Sequence, residues 1–240
     1  MRRAAFASRL GAFTALPCVR TALARTAFST AWSGSIVKYN VWGIGLTRTG
    51  TTSLNRALEM LGYQSVHYPT LSQLFHQPIE AATDEPVAVT YKYLDFLYPQ
   101  SKFVLTEREE DDWIRSTAGH RQRHFNRHRA WSPTESPFNK PGADWIHSQV
   151  SVILGQGLLR DRTVERVFTQ MALYETLEFD EHKFRSGSRR YHDDVTRYFA
   201  ERPGALLRMR ICEGEGWGRL CEFLEQPVPK AAFPSLNNTK

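Results

Sequence analysis

Residues 43–62 read GIGLTRTGTTSLNRALEMLG, an order of residue types suited to capturing an anion. An apolar run ends among glycines, a turn follows, and apolar residues then recur at helical spacing. A turn that opens a helix in this way brings backbone N–H groups and the positive helix end onto one point, a nest for phosphate. Gly50 permits positive φ and close backbone approach. Arg48 offers a planar cation matched to phosphate oxygens, and Thr49, Thr51, Thr52 and Ser53 add hydroxyls around it. The nucleotide-triphosphatase loop G-x-x-x-x-G-K-[ST] shares Gly45 and Gly50, but Thr51 stands at the lysine position. No later segment reads clearly as a strand-borne Asp for Mg²⁺. A kinase or ATPase would therefore lack its phosphate-bridging lysine, and a phosphotransferase stands as the alternative reading.

A second block could serve another phosphate. Lys102–Thr106 (KFVLT) reads as a strand, Arg108 follows its end, and Ser116 stands eight residues later. With a helix opening at Glu109, Arg108 would leave the strand end and Ser116 would lie two helical turns on. Both could meet one anion. For proton transfer, Asp84 in Thr83-Asp84-Glu85-Pro86 is the first candidate base, and His67, at the end of a short strand, is the second. The same Asp84 could instead cap the helix that begins near Pro86.

The elements that must position these groups follow from periodicity. Val37–Leu46 reads as a buried first strand, Thr51–Leu61 as a helix closed by Gly62, and Gln64–Tyr68 as a second strand. Val87–Leu97 reads as a helix ended by Pro99, and Glu109–Ser116 opens another with acids in its first turn. Gly119–Pro141 is a basic helix, including His120–Arg129, that runs into a proline-containing loop; it could attract an acidic ligand or cover a bound one, a solvated helix face being the other reading. Trp131, Phe138 and Trp145 could line a pocket there, core or loop packing being the other reading. Residues 144–201 are mostly helical, with Asp161–Phe179 the clearest case. Ala205–Ile211 is a late strand and Trp217–Leu224 a final helix. Alternating strands and helices imply an α/β fold, a parallel sheet wrapped by helices in three layers.

Together these residues resemble the sulfotransferase family. Thr47-Arg48-Thr49-Gly50-Thr51-Thr52-Ser53 looks like its 5′-phosphosulfate loop, with Arg48 in place of the lysine of the cytosolic members. The strand-end Arg108 and the Ser116 eight residues on look like the pair that family places on the nucleotide 3′-phosphate. The resemblance is closest to the branch that reads G-L-x-R-T-G-T-x-S-L. That branch also carries a D-x-P segment (Asp84–Pro86), a W-x-x-S helix (Trp113–Ser116) and a tail seen here in Glu213–Trp217, Leu220–Leu224, Pro229 and Phe233–Asn237. It covers about residues 38–238. Glu109-Glu110 replaces the frequent Asp-Pro, and no basic Arg-Lys-Gly segment for the adenine nucleotide is found.

The resemblance implies a P-loop NTPase-like fold of sulfotransferase type and 3′-phosphoadenosine 5′-phosphosulfate (PAPS) as co-substrate, with no metal. It implies in-line transfer to a hydroxyl or amine of a small-molecule or carbohydrate acceptor, chosen by variable loops rather than by the scaffold. Arg48, Thr49, Gly50, Thr51, Thr52, Ser53, Arg108 and Ser116 would bind the donor, with Arg48, Asp84 and His67 catalytic. A non-catalytic nucleotide-binding relative is a further alternative.

Composition narrows the rest. The hydrophobic share of 41%, with 14 Phe, 9 Tyr and 6 Trp among 240 residues, can fill one core. Residues 1–29 hold Arg2, Arg3, Arg9, Arg20 and Arg25, while the first acid in the chain is Glu59; removing those five leaves 26 basic against 25 acidic residues. The net charge of +6 thus belongs to the leader, and the nearly neutral body offers no broad nucleic-acid surface. An acid-free, Arg-, Ala- and Ser-rich start reads as a transit peptide over residues 1–33, mitochondrial before plastid, with the α/β domain at 34–240. Without import the protein would be cytoplasmic. No apolar run is long enough for a transmembrane helix. Cys18, Cys212 and Cys221 form neither a disulfide framework nor a zinc pattern.

Overall fold

The computed structural model describes residues 39–127 and 163–236. The leader, the proline-containing segment after Arg127, and Trp131, Phe138 and Trp145 lie outside the described residues.

Five short strands form one all-parallel sheet: β1 Val41–Gly43, β2 Ser65–His67, β3 Ala81–Thr83, β4 Lys102–Thr106 and β5 Leu206–Met209, in the order β2-β3-β1-β4-β5. Successive residues of a strand face opposite sides, so each strand supplies two cores. Trp42, Ala82, Phe103 and Leu105 face one; Val41, Ala81, Val104, Leu207 and Met209 face the other. Helices α3 Glu85–Leu97, α4 Glu110–Arg127, α5 Thr163–Tyr174 and α6 Glu181–Tyr198 cover the first side, α4 through Trp113 and Ile114 and α5 through Leu173 and Tyr174. The short α2 Leu71–His76 adds Leu74. Helices α1 Thr51–Met60 and α7 Trp217–Leu224 cover the second through Leu54, Ala57, Leu58, Trp217, Leu220 and Leu224. The result is three layers, as the alternation of elements implied. Burial on both faces explains the near-continuous apolar character of Phe103–Leu105.

Most of the expected elements are present, with three differences. The first strand is shorter, because beyond Gly43 the chain leaves the sheet to form the loop. The acidic helix and the basic helix are one element, α4. Helix α2 and strand β3 were not expected. Ala81-Ala82-Thr83 has little strand propensity, but it sits between β1 and β2, where small side chains let α1 pack closely.

The strand order fixes where a ligand belongs. From β1 the chain turns through α1 toward β2 on one side; from β4 it turns through α4 toward β5 on the other. Between β1 and β4 the outgoing connections diverge and leave a crevice at their carboxyl ends. Arg48 lies just past the end of β1, and Arg108 just past the end of β4.

Candidate active site

The turn after β1 is tightly built. A side-chain carbon on Gly45 would come within 1.8 Å of Thr106 Oγ1, so only glycine fits there. Thr49 Oγ1 donates to Leu46 O at 2.6 Å and lies 2.6 Å from Thr106 Oγ1, which ties the turn to β4. Tyr191 donates its hydroxyl to Ile44 O at 2.6 Å, and Trp113 Nε1 donates to Thr47 O at 2.9 Å. Arg48 has φ 70° and Gly50 φ 103°. Gly50 then caps α1 with no side-chain hydrogen bond, and the first backbone bond of the helix is Leu54 N–H to Gly50 O. The amides of Thr51, Thr52 and Ser53 precede that bond at the positive end of the helix, without acids in the first turn.

On the β4 side, Arg48 Nε donates to Ser116 Oγ at 3.0 Å, and Arg108 Nη1 donates to Arg48 O at 3.4 Å. Two arginines and a serine from three elements therefore meet in the crevice. Cys212, in the turn after β5, closes one side: burial raises its thiol pKa, while the charges of Arg108 and Arg48 pull it down. A side chain on Gly50 would meet Ile211 of the same turn at 3.0 Å.

On the β3 side, Thr51 Oγ1 donates to Asp84 Oδ2 at 2.9 Å. His67 Nε2 lies 3.1 Å from Thr52 Oγ1 and 3.4 Å from Asp84 Oδ2, and its Nδ1 lies 3.0 Å from Thr83 Oγ1. Asp84 is only 3% exposed and has φ 90° and ψ −178°, a region that disfavours side chains. Four bonds hold it there: its N–H donates to Gly43 O, its carbonyl accepts from the amides of Val87 and Ala88, and Oδ1 accepts from Glu85 N–H. Asp84 thus caps α3 with one oxygen and engages the phosphate turn with the other. Arg48, Tyr68 and Asp84 all have positive φ and all stand just beyond strand ends around the turn, as strained residues at functional sites do.

Burial pushes the Asp84 carboxyl up to about 6, against the opposing pull of Glu85 N–H, the Thr51 hydroxyl and the Arg48 charge. Its neighbour Glu85, 3% exposed, is pushed up to about 7 by burial and by Asp84. Tyr174 donates to Glu85 Oε1 at 2.9 Å, and this bond and the Arg121 charge oppose the rise in its pKa.

Arg48, Arg108, Ser116, Gly50, Thr51, Thr52, Asp84 and His67 are therefore brought around one crevice. Thr49 and Ser53 point elsewhere. Thr49 turns its hydroxyl into the loop, and Ser53 Oγ, 3% exposed, accepts Leu236 N–H from the C-terminal tail at 2.9 Å. Both hydroxyls are engaged in packing contacts rather than in the crevice. Sequence reasoning passed over Glu85, although it adjoins Asp84 in the D-x-P segment. It also passed over Tyr174, which carries no motif signal. Arg121, from the basic cluster, turns inward and donates to Gln170 Oε1 at 2.7 Å. Among the described residues no group of three or more His, Cys, Asp or Glu is placed to hold a metal ion, and no helix is long and apolar enough to cross a membrane.

A parallel α/β sheet with a glycine-rich turn at its divergence point defines a P-loop-like fold. A family model described as a sulfotransferase domain matches residues 40–77 and 69–240, and the chain belongs to that family. Its function class is accordingly sulfuryl transfer, and the family generally uses PAPS and small-molecule acceptors. A search of curated proteins gives no match.

Proposed function

We propose that this protein transfers the sulfuryl group of PAPS to a hydroxyl or amine of a small-molecule or carbohydrate acceptor by in-line displacement. The observation that carries the reading is the meeting of Arg48, Arg108 and Ser116 in the crevice whose opposite wall is the open N-terminus of α1. Two anion-receiving points fed by different elements suit a nucleotide phosphorylated at both its 3′ and 5′ positions.

The amides of the first turn of α1, with the Thr51 and Thr52 hydroxyls, hold the 5′-phosphate. Arg108 and Ser116 hold the 3′-phosphate. The donor supplies an activated S–O bond, which breaks as the acceptor oxygen or nitrogen bonds to sulfur. Arg48 stabilises the charge that develops on the bridging oxygen, fixed in position before reaction and therefore without reorganisation. Its Nε–Ser116 bond lets the 3′-phosphate side set the geometry of the reacting side. The acceptor proton passes to the Asp84–His67 pair; the His67 side chain is 32% exposed and faces outward, with Asp84 buried behind it. Positioning and electrostatics carry such a reaction, as in phosphoryl transfer.

Calorimetric titration tests the reading: adenosine 3′,5′-bisphosphate should bind without Mg²⁺, and at least tenfold more tightly than ATP with Mg²⁺. Preference for ATP–Mg²⁺ rejects it. We further propose that residues 1–33 direct mitochondrial import. A reporter fused to this segment should enter mitochondria, and one carrying its five arginines changed to Gln should not.

A further inference from the structure

The geometry points to the tail that returns after α7 as a latch on the phosphate-binding turn, with Ser53 as a positioning residue. Leu236 N–H, bonded to Ser53 Oγ at 2.9 Å, holds the first turn of α1 in its anion-receiving shape. The inference deepens the proposed function and rests on the donor reading for its ligand arm alone.

The start of α1 is held by something other than its own cap. Gly50 stands at the cap position and offers no side-chain bond to the first amides. A polar side chain there would stabilise the helix, but it would also occupy N–H groups that an incoming anion needs. The first turn is instead tied through its own side chains. Thr51 Oγ1 donates to Asp84 Oδ2 at 2.9 Å, Thr52 Oγ1 lies 3.1 Å from His67 Nε2, and Ser53 Oγ accepts Leu236 N–H. Three consecutive hydroxyls thus reach three separate segments: the end of β3, the end of β2 and the returning tail. Ser53 is 3% exposed, and its bond spans 183 positions of chain.

The tail is itself anchored before it reaches Ser53. Trp217 Nε1 donates to Ala231 O at 2.8 Å, and the Phe233 and Trp217 rings meet edge to face with centroids 4.9 Å apart. Trp217 belongs to the core that α1 and α7 share over one face of the sheet, and Phe233 packs against that core. Pro227, Pro229 and Pro234 restrict the backbone that leads to Leu236, so less conformational entropy is lost in presenting its N–H. Leu236 is 43% exposed, so what it contributes at this point is chiefly that N–H. Phe233 sets where the tail lies, and the Leu236 bond sets what it holds.

The test uses the full chain with Leu236→Pro, which removes the N–H, Leu236→Ala, which keeps it, and Ser53→Ala, which removes the acceptor. Hydrogen exchange of the Leu54 amide, whose bond to Gly50 O closes the first turn, reads the latch in the nucleotide-free protein. Calorimetry with adenosine 5′-phosphate, adenosine 3′-phosphate and the 3′,5′-bisphosphate reads its consequence. Leu236→Pro and Ser53→Ala should each exchange about fivefold faster at Leu54, the size of one neutral hydrogen bond. Each should also bind adenosine 5′-phosphate and the bisphosphate about fivefold more weakly. Adenosine 3′-phosphate should stay within about twofold, because Arg108 and Ser116 belong to the other wall of the crevice. Leu236→Ala should match the wild type within about twofold in both measurements. The double variant Leu236→Pro with Ser53→Ala should be no worse than either single one, since both remove the same bond. Wild-type exchange and 5′-phosphate affinity in Leu236→Pro overturn the proposal. Equal losses for the two monophosphates also overturn it, since general loosening of the fold would give them, and so does a Leu236→Ala loss equal to that of Leu236→Pro. Should the wild type bind none of the three nucleotides, the donor reading fails and exchange at Leu54 judges the latch. Faster exchange in Leu236→Pro but not in Leu236→Ala then supports it, and unchanged exchange overturns it.

Discussion

Binding of the bisphosphate product should be coupled to proton uptake by Asp84, and neutralising that residue should remove the coupling. Burial already pushes the carboxyl up to about 6, although Glu85 N–H, Thr51 and Arg48 oppose the rise. At pH 7 it is therefore only about one-tenth protonated in the free protein. Its Oδ2 lies 2.9 Å from Thr51 Oγ1, which belongs to the helix end proposed to receive the 5′-phosphate. A phosphate charge about 6 Å from the carboxylate contributes roughly 3 kcal/mol at an effective dielectric constant of about 20. Arg48 lies at the same end of the crevice and partly neutralises such a phosphate, so the rise is taken as about one pKa unit. The protonated fraction then climbs from ~0.1 to ~0.5, an uptake of about 0.4 proton at pH 7. The sign follows from the raised pKa in the bound state. Uptake peaks between the free and bound values and vanishes at low pH, where both states are protonated, and at high pH, where neither is.

Isothermal titration at pH 7 in two buffers of different ionisation enthalpy counts the protons directly. The ligand phosphates titrate as well, but their contribution is common to wild type and Asp84→Asn, so the difference between the two proteins isolates the carboxylate. That difference should be about 0.4 proton, and Asp84→Asn should bind up to about tenfold more tightly at pH 8.5, with the gap closing toward pH 5. With an acceptor in hand, the same variant should turn over about 10²–10⁴-fold more slowly, because the proton has lost its destination. Equal proton counts across pH 5.5–8.5 would refute the placement of Asp84 beside the bound phosphate.

Two further substitutions address the other walls of the crevice. Arg108→Ala should weaken bisphosphate binding by about 2–4 kcal/mol while sparing adenosine 5′-phosphate more than the bisphosphate, since a charge-assisted contact to the second phosphate is lost; equal losses for the two nucleotides would remove Arg108 from the 3′ end. Gly45→Ala should lower thermal stability and abolish binding together, because its new carbon would collide with Thr106 Oγ1, 1.8 Å away; a wild-type melting temperature would show that the turn yields.

The alternation of strands and helices, the anion turn and the strand-end arginine were all legible in the chain, because each depends on local pattern. A glycine-rich turn between an apolar run and a periodic helix has few other solutions. The strand β3 was not legible, since Ala81-Ala82-Thr83 becomes a strand only by lying between two others. Ser53 shows the same limit from the other direction: the motif gave no sign that its hydroxyl accepts Leu236 N–H from the returning tail.

Sequence by itself therefore determined the fold class and the family, and it supplied the two segments proposed to grip phosphate, all of them properties of residue type and short-range spacing. Tertiary structure alone decided that Arg48 reaches Ser116 across 68 positions of chain, that Asp84 both caps a helix and touches Thr51, and that Tyr174 donates to the buried Glu85. Those contacts join distant segments, and the burial that shifts the two carboxylates exists only once the helices close over the sheet.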